Sequence, residues 1–214
     1  MANRQIYKEE VTHPWLTILL DGYAMCDEAV KKDVIRQEVR RKQKLACHRG
    51  CHGCCLNPNV PISPLELRGI SWYVSEILDE FTQDRLIPRL QNHSSVTECP
   101  CLLDKCCSIY PVRPIACRTH YVFGPVCKPL EDITKTRSNE TSSQDCVFAK
   151  KVVMRFLDPD MVALESLKQK EKAFETGSMT QISRPMHNSN WTFINSAMAL
   201  TRQRRLTKDA SAMT

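Results

Sequence analysis

The cysteine content of this chain points most directly to chemistry. Ten of its 12 cysteines lie between Cys47 and Cys127. In a reducing compartment, clustered thiols are more often metal ligands or redox groups than disulfides. The first cluster is Cys47-x3-Cys51-x2-Cys54-Cys55, in which short spacings let one loop direct several sulfurs at a common point. Thiolates bind soft or borderline metals, so the candidates are zinc and iron–sulfur rather than magnesium or calcium.

A second, proline-rich stretch of cysteines reads CPCLLDKCCSIYPVRPIACR from Cys99 to Arg118. Together the two stretches resemble the YkgJ-type cysteine-cluster family, a zinc- or iron-chelating domain. That family has the pattern C-x3-C-x2-C-C, then C-P-x-L and C-x-I-Y-x2-R-P-x2-C-R, and one further cysteine downstream. The resemblance covers about residues 45–128 and implies a set of eight ligands. These are Cys47, Cys51, Cys54, Cys55, Cys99, Cys107, Cys117 and Cys127.

The remaining cysteines and the nearby histidines have different expected roles. The eighth ligand is either Cys127 or Cys146, and we favour Cys127 because it follows the preceding cysteine loop closely. Cys101 replaces a residue that is usually apolar in the family, and Cys106 is an extra neighbour. Cys26 is expected to be a buried small hydrophobe on a helix face. With so many thiolates available, three histidines are expected beside the ligands or facing solvent: His48, His52 and His120.

Two arginines and a tyrosine of the family pattern are expected next to the cofactor: Arg113, Arg118 and Tyr110. Four or more thiolates around a divalent ion leave a net negative charge, which guanidinium and backbone N–H donors compensate. Tyr110 either donates its hydroxyl to a sulfur or packs under the loop. For all three residues, simple packing of a proline-rich loop is the alternative.

The number of sulfurs exceeds the need of one mononuclear tetrahedral site. Either there are two sites, or there is one polynuclear cluster with spare thiols. Iron is favoured over zinc because a three-cysteine loop with a distant fourth cysteine suits an iron–sulfur cluster. The same sulfurs arranged in pairs would suit structural zinc equally well. The expected cofactor is therefore an iron–sulfur cluster or zinc or iron ions.

The elements that must position these residues are mostly helices. Apolar residues at three- and four-residue steps predict one long helix over residues 13–44. Ser63 and Glu66 predict a capping box at the start of a second helix, with an apolar stripe that runs to Phe81. A shorter helix is expected over residues 82–90. The predicted fold is mainly α, a small helical domain with an irregular Cys/Pro-rich metal-binding centre.

The second half of the chain is more polar. Residues 128–144 predict a loop, 147–157 a helix or strand, and 158–174 a further helix. We therefore expect one helical cysteine-cluster domain over residues 1–175, with its metal-binding core at about 45–128. Residues 176–214 are expected to form an unstructured basic tail, in which residues 191–200 form a possible docked helix.

Composition disfavours several classes of protein. The chain has 6 glycines, well below the usual share of about 7%, which disfavours hairpin-rich barrels, and it has no glycine-rich nucleotide loop. Its longest early apolar run, residues 15–20, is far shorter than the roughly 20 residues of a membrane span. The first residues do not form a secretion signal, so we expect a soluble, cytoplasmic chain. The net charge of +6 is concentrated in the tail, so nucleic acid is disfavoured and another protein is the expected partner.

Three classes of function remain open at this point. The first is a metal-binding protein whose cluster acts in electron transfer, metal handling or the maturation of another protein. The second is a structural zinc module that binds a partner. The third is an enzyme, because the same loop resembles that of flagellin lysine N-methylase, which is much longer and uses S-adenosylmethionine. The x3-x2 spacing also matches radical S-adenosylmethionine enzymes, but the repeated strand–helix units that they need are missing.

Overall fold

The computed structural model describes residues 4–56, 60–92, 98–128, 130–142, 168, 169, 172 and 183–212. Helices dominate these residues, and the strands among them are each two residues long. The chain is therefore mainly α, as the sequence predicts. No helix in the described ranges has the length and apolar character that crossing a membrane requires.

The first helix, α1, spans Pro14–Arg41. It begins at a proline, whose fixed φ suits the first turn of a helix. Leu16, Leu19 and Tyr23 are buried on one face, in agreement with the predicted periodicity. The helix ends where Lys42 adopts a left-handed φ of 53°, and the first cysteine loop follows.

The second helix, α2, spans Pro64–Trp72 and has the predicted capping box. The Glu66 backbone N–H donates to Ser63 Oγ at 3.3 Å, and the Ser63 backbone N–H donates to Glu66 Oε2 at 2.8 Å. Gly69 lets α2 approach α1 closely, because a Cβ atom there would lie 2.1 Å from a methyl carbon of Leu19. The local capping signal therefore places α2 directly against α1.

The predicted apolar stripe is confirmed as far as Leu78 and is wrong at Phe81. Helix α2 runs into a π-helical turn at Tyr73–Ile77 and stops there. Asp79 then caps a new helix, α3 (Glu80–Gln91), by accepting a hydrogen bond from the Thr82 N–H at 2.8 Å. The new helix has a different orientation, and the Phe81 side chain is 71% exposed.

Helix α3 confirms the prediction of a helix over residues 82–90. Pro88 lies inside it without ending it. The buried Gln83 side chain donates to the carbonyl oxygens of Val74 at 2.8 Å and Leu78 at 3.1 Å. Since a π turn leaves carbonyl groups without the usual helical partners, Gln83 joins α3 to the end of the preceding helix.

The second cysteine stretch, predicted to be irregular, forms short elements. A hairpin pairs β2 (Leu102–Leu103) with β3 (Cys106–Cys107) in antiparallel register. Its turn residues, Asp104 and Lys105, have positive φ values of 48° and 61°. Backbone of this kind twists in the direction that a tight hairpin needs. Helix α4 (Ile115–Thr119) follows a 3-10 turn.

Two short helical turns lie in the segment predicted to be a polar loop. Helix α5 spans Ile133–Thr136, and a 3-10 turn follows at Ser138–Glu140. Ile133 is buried there, although the polar sequence around it does not predict a buried residue. The elements predicted over residues 147–157 and 158–174 lie almost wholly outside the described residues.

The C-terminal part packs on the rest of the chain. Strand β1 (Pro61–Ile62) pairs with β4 (Arg184–Pro185), and helix α6 spans Thr192–Ala212. The prediction of an unstructured basic end is wrong for these residues. Arg202 donates to the Gln83 side chain at 2.9 Å, and Arg205 donates to a carbonyl of the π turn at 2.8 Å. The predicted docked helix is present and is longer than expected.

Most buried apolar residues belong to one core. It joins α1, α2, α3, the second cysteine stretch and α6. A second, much smaller core lies between the first cysteine loop and α5. Its buried members are Ala46, Val122 and Ile133.

Candidate metal centre

The first cysteine loop is anchored to the chain segment that leads to Cys127. The Ala46 N–H donates to the Val122 carbonyl at 2.7 Å, and the Gly124 N–H donates to the Lys44 carbonyl at 2.9 Å. These two bonds place the start of the loop beside a segment about 80 residues later. The sulfurs at the two ends of this region are therefore neighbours in space.

Inside the first loop the backbone turns tightly twice. The Cys51 N–H donates to the His48 carbonyl at 3.0 Å, and the Cys55 N–H donates to the His52 carbonyl at 2.9 Å. Gly50 has a φ of 83°, a conformation that L side chains rarely adopt. These two turns fold the loop tightly, so that its four cysteines lie on one short, compact stretch of backbone.

The second stretch docks directly on the first loop. The Cys99 N–H donates to the Cys55 carbonyl at 2.7 Å. Strand β3 then carries Cys107, and helix α4 carries Cys117. One backbone hydrogen bond thus connects the two cysteine stretches at their closest point.

Gly53 allows Cys127 to approach the first loop. A Cβ atom built on Gly53 would lie 3.0 Å from the Cys127 Cβ and 3.8 Å from its sulfur. Contacts this short are tighter than almost all real Cβ contacts, so any larger residue would displace Cys127. The glycine is needed here for space, since its φ is not among the positive values.

Four cysteines form what we call the outer group: Cys47, Cys51, Cys54 and Cys127. Their thiols are close enough for the charge of one to raise the pKa of another. Cys47 and Cys127 also pack against the small core around Val122. The outer group therefore lies at the edge of the molecule, with Cys54 exposed.

Four other cysteines form the inner group: Cys55, Cys99, Cys107 and Cys117. Their thiols also influence one another electrostatically. Cys99 is 8% exposed and belongs to the main core, and Cys55 and Cys107 pack against that core. The inner group is therefore positioned by the helices rather than by the loop alone.

Cys54 lies between the two groups. Its sulfur accepts a hydrogen bond from the Cys55 thiol, which lowers the pKa of Cys54 to about 7 and raises that of Cys55. Its charge also acts on Cys107 and Cys117, on the inner side. The Arg113 guanidinium further favours the Cys54 thiolate. Cys54 is therefore a thiol with a lowered pKa where the two groups meet.

Burial opposes ionisation of four other thiols. It raises the pKa of Cys47 to about 11 and that of Cys107 to about 12. It also raises the pKa of Cys117 and Cys127. Because metals bind thiolates, metal binding at these sulfurs must release protons.

The donor chemistry of both groups fits zinc or iron. The 11 described cysteines, which exclude Cys146, are all free thiols. Within the described ranges, however, no three His, Cys, Asp or Glu side chains already form the donor set of one ion. The sulfurs are thus collected and unpaired, but they are not pre-arranged as a closed coordination sphere.

Arg118 acts mainly on the protein around it. Its buried guanidinium donates to Asp27 Oδ2 at 2.6 Å and to the Arg113 carbonyl at 2.9 Å. It also donates to the Pro111 carbonyl and lies 4.0 Å from the centre of the Tyr23 ring. These contacts fix helix α4, which carries one of the inner cysteines.

Arg113 lies closer to the sulfurs. It donates to the Tyr110 carbonyl at 3.0 Å, and its guanidinium lies 3.9 Å from the centre of the Tyr110 ring. Its charge favours the thiolates of Cys54 and Cys107. Tyr110 itself is 60% exposed, which agrees better with a support for Arg113 than with a buried donor to sulfur.

The cysteines outside the two groups differ in exposure. Cys26 is fully buried on α1, as predicted for a small hydrophobe. Cys101 is also fully buried, whereas Cys106 is exposed on the hairpin. Cys146 lies outside the described residues. The choice between Cys127 and Cys146 as the eighth ligand therefore stays open.

The three histidines lie in different environments. His48 is exposed, and its Nδ1 lies 2.9 Å from the Arg49 carbonyl. His52 lies near enough to Cys54 to lower its pKa. Burial lowers the pKa of His120. The expectation that they lie beside the ligands or face solvent stays a prediction.

Two carboxylates were missed by the sequence reasoning. Asp27 receives the Arg118 hydrogen bond and lies 3.6 Å from the Arg113 guanidinium. Glu66, which was predicted only as a capping residue, also accepts a hydrogen bond from the Ile115 N–H at 2.7 Å. Both residues hold the second cysteine stretch against the helices. A capping box gives no signal of such a long-range contact.

Comparison with known families agrees with this arrangement. Residues 46–147 match the family model CxxCxxCC, described as "Putative zinc- or iron-chelating domain". The match covers just under half of the chain, and we refer to residues 46–147 as the CxxCxxCC domain. This segment contains both cysteine groups, and the match supports metal binding in general. No curated protein and no solved structure matches the chain.

Proposed function

We propose that the CxxCxxCC domain binds metal at two positions, an iron–sulfur cluster at the outer group and a structural zinc ion at the inner group. Each group contributes four thiols, the number that both kinds of centre take. The observation that carries the proposal is that Cys47 and Cys127 pack against the small core, whereas Cys99 belongs to the main core and Cys55 and Cys107 pack against it.

The outer group has the composition that suits iron. Cys47, Cys51 and Cys54 come from one loop, and Cys127 is the distant fourth cysteine. Its exposed edge suits electron transfer, because an electron must pass between this centre and a partner. When bound, the cluster would supply one-electron chemistry. Two exposed apolar residues, Val126 and Leu130, flank Cys127 and offer a surface to a partner protein.

The inner group suits a structural ion better. Cys99 is buried, and Cys55 and Cys107 pack against the main core. The inner thiols come from the first loop, the hairpin and α4. Among the described residues, no long run of backbone hydrogen bonds holds these three segments together. A structural zinc site stabilises a fold by connecting such segments.

Charge compensation comes from this chain's own residues. Four thiolates around a divalent ion leave an excess of negative charge. The Arg113 guanidinium is held between Asp27 and Tyr110 with its charge towards Cys54 and Cys107. We assign it the role of favouring the thiolate forms of these two residues.

Metal analysis tests the two-site proposal. The full chain is purified without oxygen, and its iron, acid-labile sulfide and zinc are quantified together with its visible absorbance. The expected result is iron with sulfide and one equivalent of zinc. Zinc without iron would support the structural-module alternative instead, and the absence of both metals would overturn the proposal.

Variants assign the metals to the groups. Cys127→Ser should remove iron and visible absorbance but keep zinc, whereas Cys107→Ser should remove zinc. Cys106→Ser is the matched control, because Cys106 is exposed next to Cys107 and lies outside both groups. A loss of both metals in each single variant would contradict two separate sites. Calorimetry with S-adenosylmethionine on the same protein tests the enzyme alternative.

A further inference from the structure

A methionine from the C-terminal part of the chain lies against the inner group. The Cys99 thiol donates to the Met186 sulfur, and the two sulfurs are 3.5 Å apart. Two sulfurs bound to one ion at about 2.3 Å with tetrahedral angles lie about 3.8 Å apart. The observed separation is thus already close to that of two ligands of the same ion. Met186 lies outside the matched segment 46–147.

Met186 is held in place by its backbone. Its N–H donates to the Val60 carbonyl at 2.8 Å, and its carbonyl accepts from the Trp191 ring N–H at 2.9 Å. It directly follows strand β4, which pairs with β1. Its side chain is 1% exposed. A methionine side chain is normally adaptable, so these contacts determine where this thioether sits.

Cys101 completes a set of three sulfurs. The Cys101 thiol lies close enough to Cys99 to lower the pKa of the Cys99 thiol, and Cys99 in turn contacts Met186. Cys101 is fully buried in the main core, stands outside the eight-cysteine family pattern, and lies within electrostatic reach of Cys107 and Cys117. Two buried thiols and a buried thioether therefore lie together, in a place that water does not reach easily.

We propose that Cys99, Cys101 and Met186 form a binding site for monovalent copper. The thioether decides the choice of metal, because it is a soft ligand that suits Cu(I), whereas the usual protein ligands of zinc are Cys, His, Asp and Glu. A buried site of low polarity also favours an ion of low charge. Binding would transfer the thiol protons of Cys99 and Cys101 to solvent, with no change in the oxidation state of copper or sulfur.

The copper site depends on the proposed function only through Cys99, which it shares with the inner group. Zinc and Cu(I) would therefore exclude each other at this residue. Met186 and Cys101 serve only the copper site, so that variants at these two positions separate one proposal from the other.

Competition under anaerobic conditions tests the site. The full chain is titrated with Cu(I) in the presence of a chromophoric Cu(I) chelator. Met186→Leu, which keeps a buried apolar side chain of similar size, should weaken Cu(I) binding at least about tenfold. Met198→Leu is the matched control, because Met198 is equally buried in the same core. The Met198→Leu variant should bind Cu(I) with wild-type affinity. Both variants should contain as much zinc as the wild type.

Spectroscopy provides a readout that packing alone would not change. In protein labelled with selenomethionine, X-ray absorption at the copper edge should show one selenium neighbour, and Met186→Leu should remove it. Equal Cu(I) affinity in wild type and Met186→Leu, or no selenium at copper, would overturn the inference. Cu(I) binding with selenium in a chain that takes up neither iron nor zinc would overturn the proposed function alone. Circular dichroism checks that each variant is folded.

Discussion

The guanidinium of Arg118 donates to the carboxylate of Asp27 over 2.6 Å and so joins α4 to α1 across 91 residues of sequence. The same guanidinium donates to two backbone carbonyls and packs on the Tyr23 ring. Its planar fork serves all these partners at once, which an ammonium group cannot do. The position of Cys117 on α4 therefore depends on one buried side chain.

Arg118→Lys is expected to lower the free energy of unfolding by about 2 kcal/mol, because charged hydrogen bonds of the guanidinium are lost. Urea unfolding measures the change. Arg36→Lys is the control, since Arg36 is largely exposed and pairs with nearby Asp33, and it should stay within about 0.5 kcal/mol of the wild type. Equal stability of both variants would show that the contacts of Arg118 contribute little.

Gly53→Ala should weaken metal binding at the outer group, because the added Cβ would push against the Cβ of Cys127. We expect a loss of iron with little change in zinc, measured by metal analysis of the purified variant. The effect should act through Cys127 at the outer group, so the zinc content of Gly53→Ala should equal that of the wild type. A loss of zinc together with iron would place the effect elsewhere in the loop.

Glu66 gives a pH dependence with a definite sign. Burial raises the pKa of Glu66 above its ordinary value, so the folded chain binds its proton more tightly than the unfolded chain. Its contribution to stability is therefore fully present below about pH 4.5 and is lost as the pH rises through the folded pKa. The Glu66→Gln variant should show a shallower fall in unfolding free energy across that window.

The matched control for this pH dependence is Glu80→Gln, at an exposed position of α3. Urea unfolding at a series of pH values measures both variants. At each pH, the unfolding free energy of the wild type is subtracted from that of each variant. This cancels any effect of metal loss in acid that all three proteins share. Parallel curves for the wild type and Glu66→Gln would contradict the prediction.

Docking of α6 can be tested with two residues of the same helix. Ile194 is fully buried in the main core, whereas Leu200 is 54% exposed. Ile194→Ala should lower the unfolding free energy by about 2–5 kcal/mol through lost burial and a cavity. Leu200→Ala should change it by less than about 1 kcal/mol. Similar small losses in both variants would mean that α6 contributes little to the core.

Metal removal should affect the two cores unequally. The small core around Val122 has three buried apolar residues, so the loop beside it depends on bound metal for its order. After chelation, amide exchange at Ala46 and Gly124 should accelerate, whereas α1 and α2 should keep their protection. Hydrogen-exchange mass spectrometry measures this, and unchanged exchange across residues 44–55 would contradict a structural role of the metal.

The sequence predicted those parts of the structure that depend on local signals. The capping box at Ser63 and the long helix α1 follow from neighbouring residues, and both are confirmed. The end of α2 was missed because a π turn depends on Gln83, which reaches back from the next helix. Docking of α6 was missed because the partners of Arg202 lie more than 100 residues away.

The candidate site shows the same division. The cysteine spacing predicts that thiols gather at one region of the fold, and the family pattern indicates which eight cysteines these are. It does not predict that Cys47 and Cys127 pack against a different core from Cys55, Cys99 and Cys107, because that depends on where each segment docks. Asp27 and Met186 gave no signal, since neither stands near a cysteine of either stretch in the sequence.

The pairing of β4 with β1 has a consequence for the order of events during protein synthesis. Residues 184–198 complete the main core, yet the ribosome makes them more than 50 residues after Cys127. During this interval the sulfurs of both groups have already been synthesised, while the segment that covers Cys99 has not. A nascent chain therefore has a period in which an ion or a delivery protein can reach the inner sulfurs, and this access closes when the C-terminal helix folds.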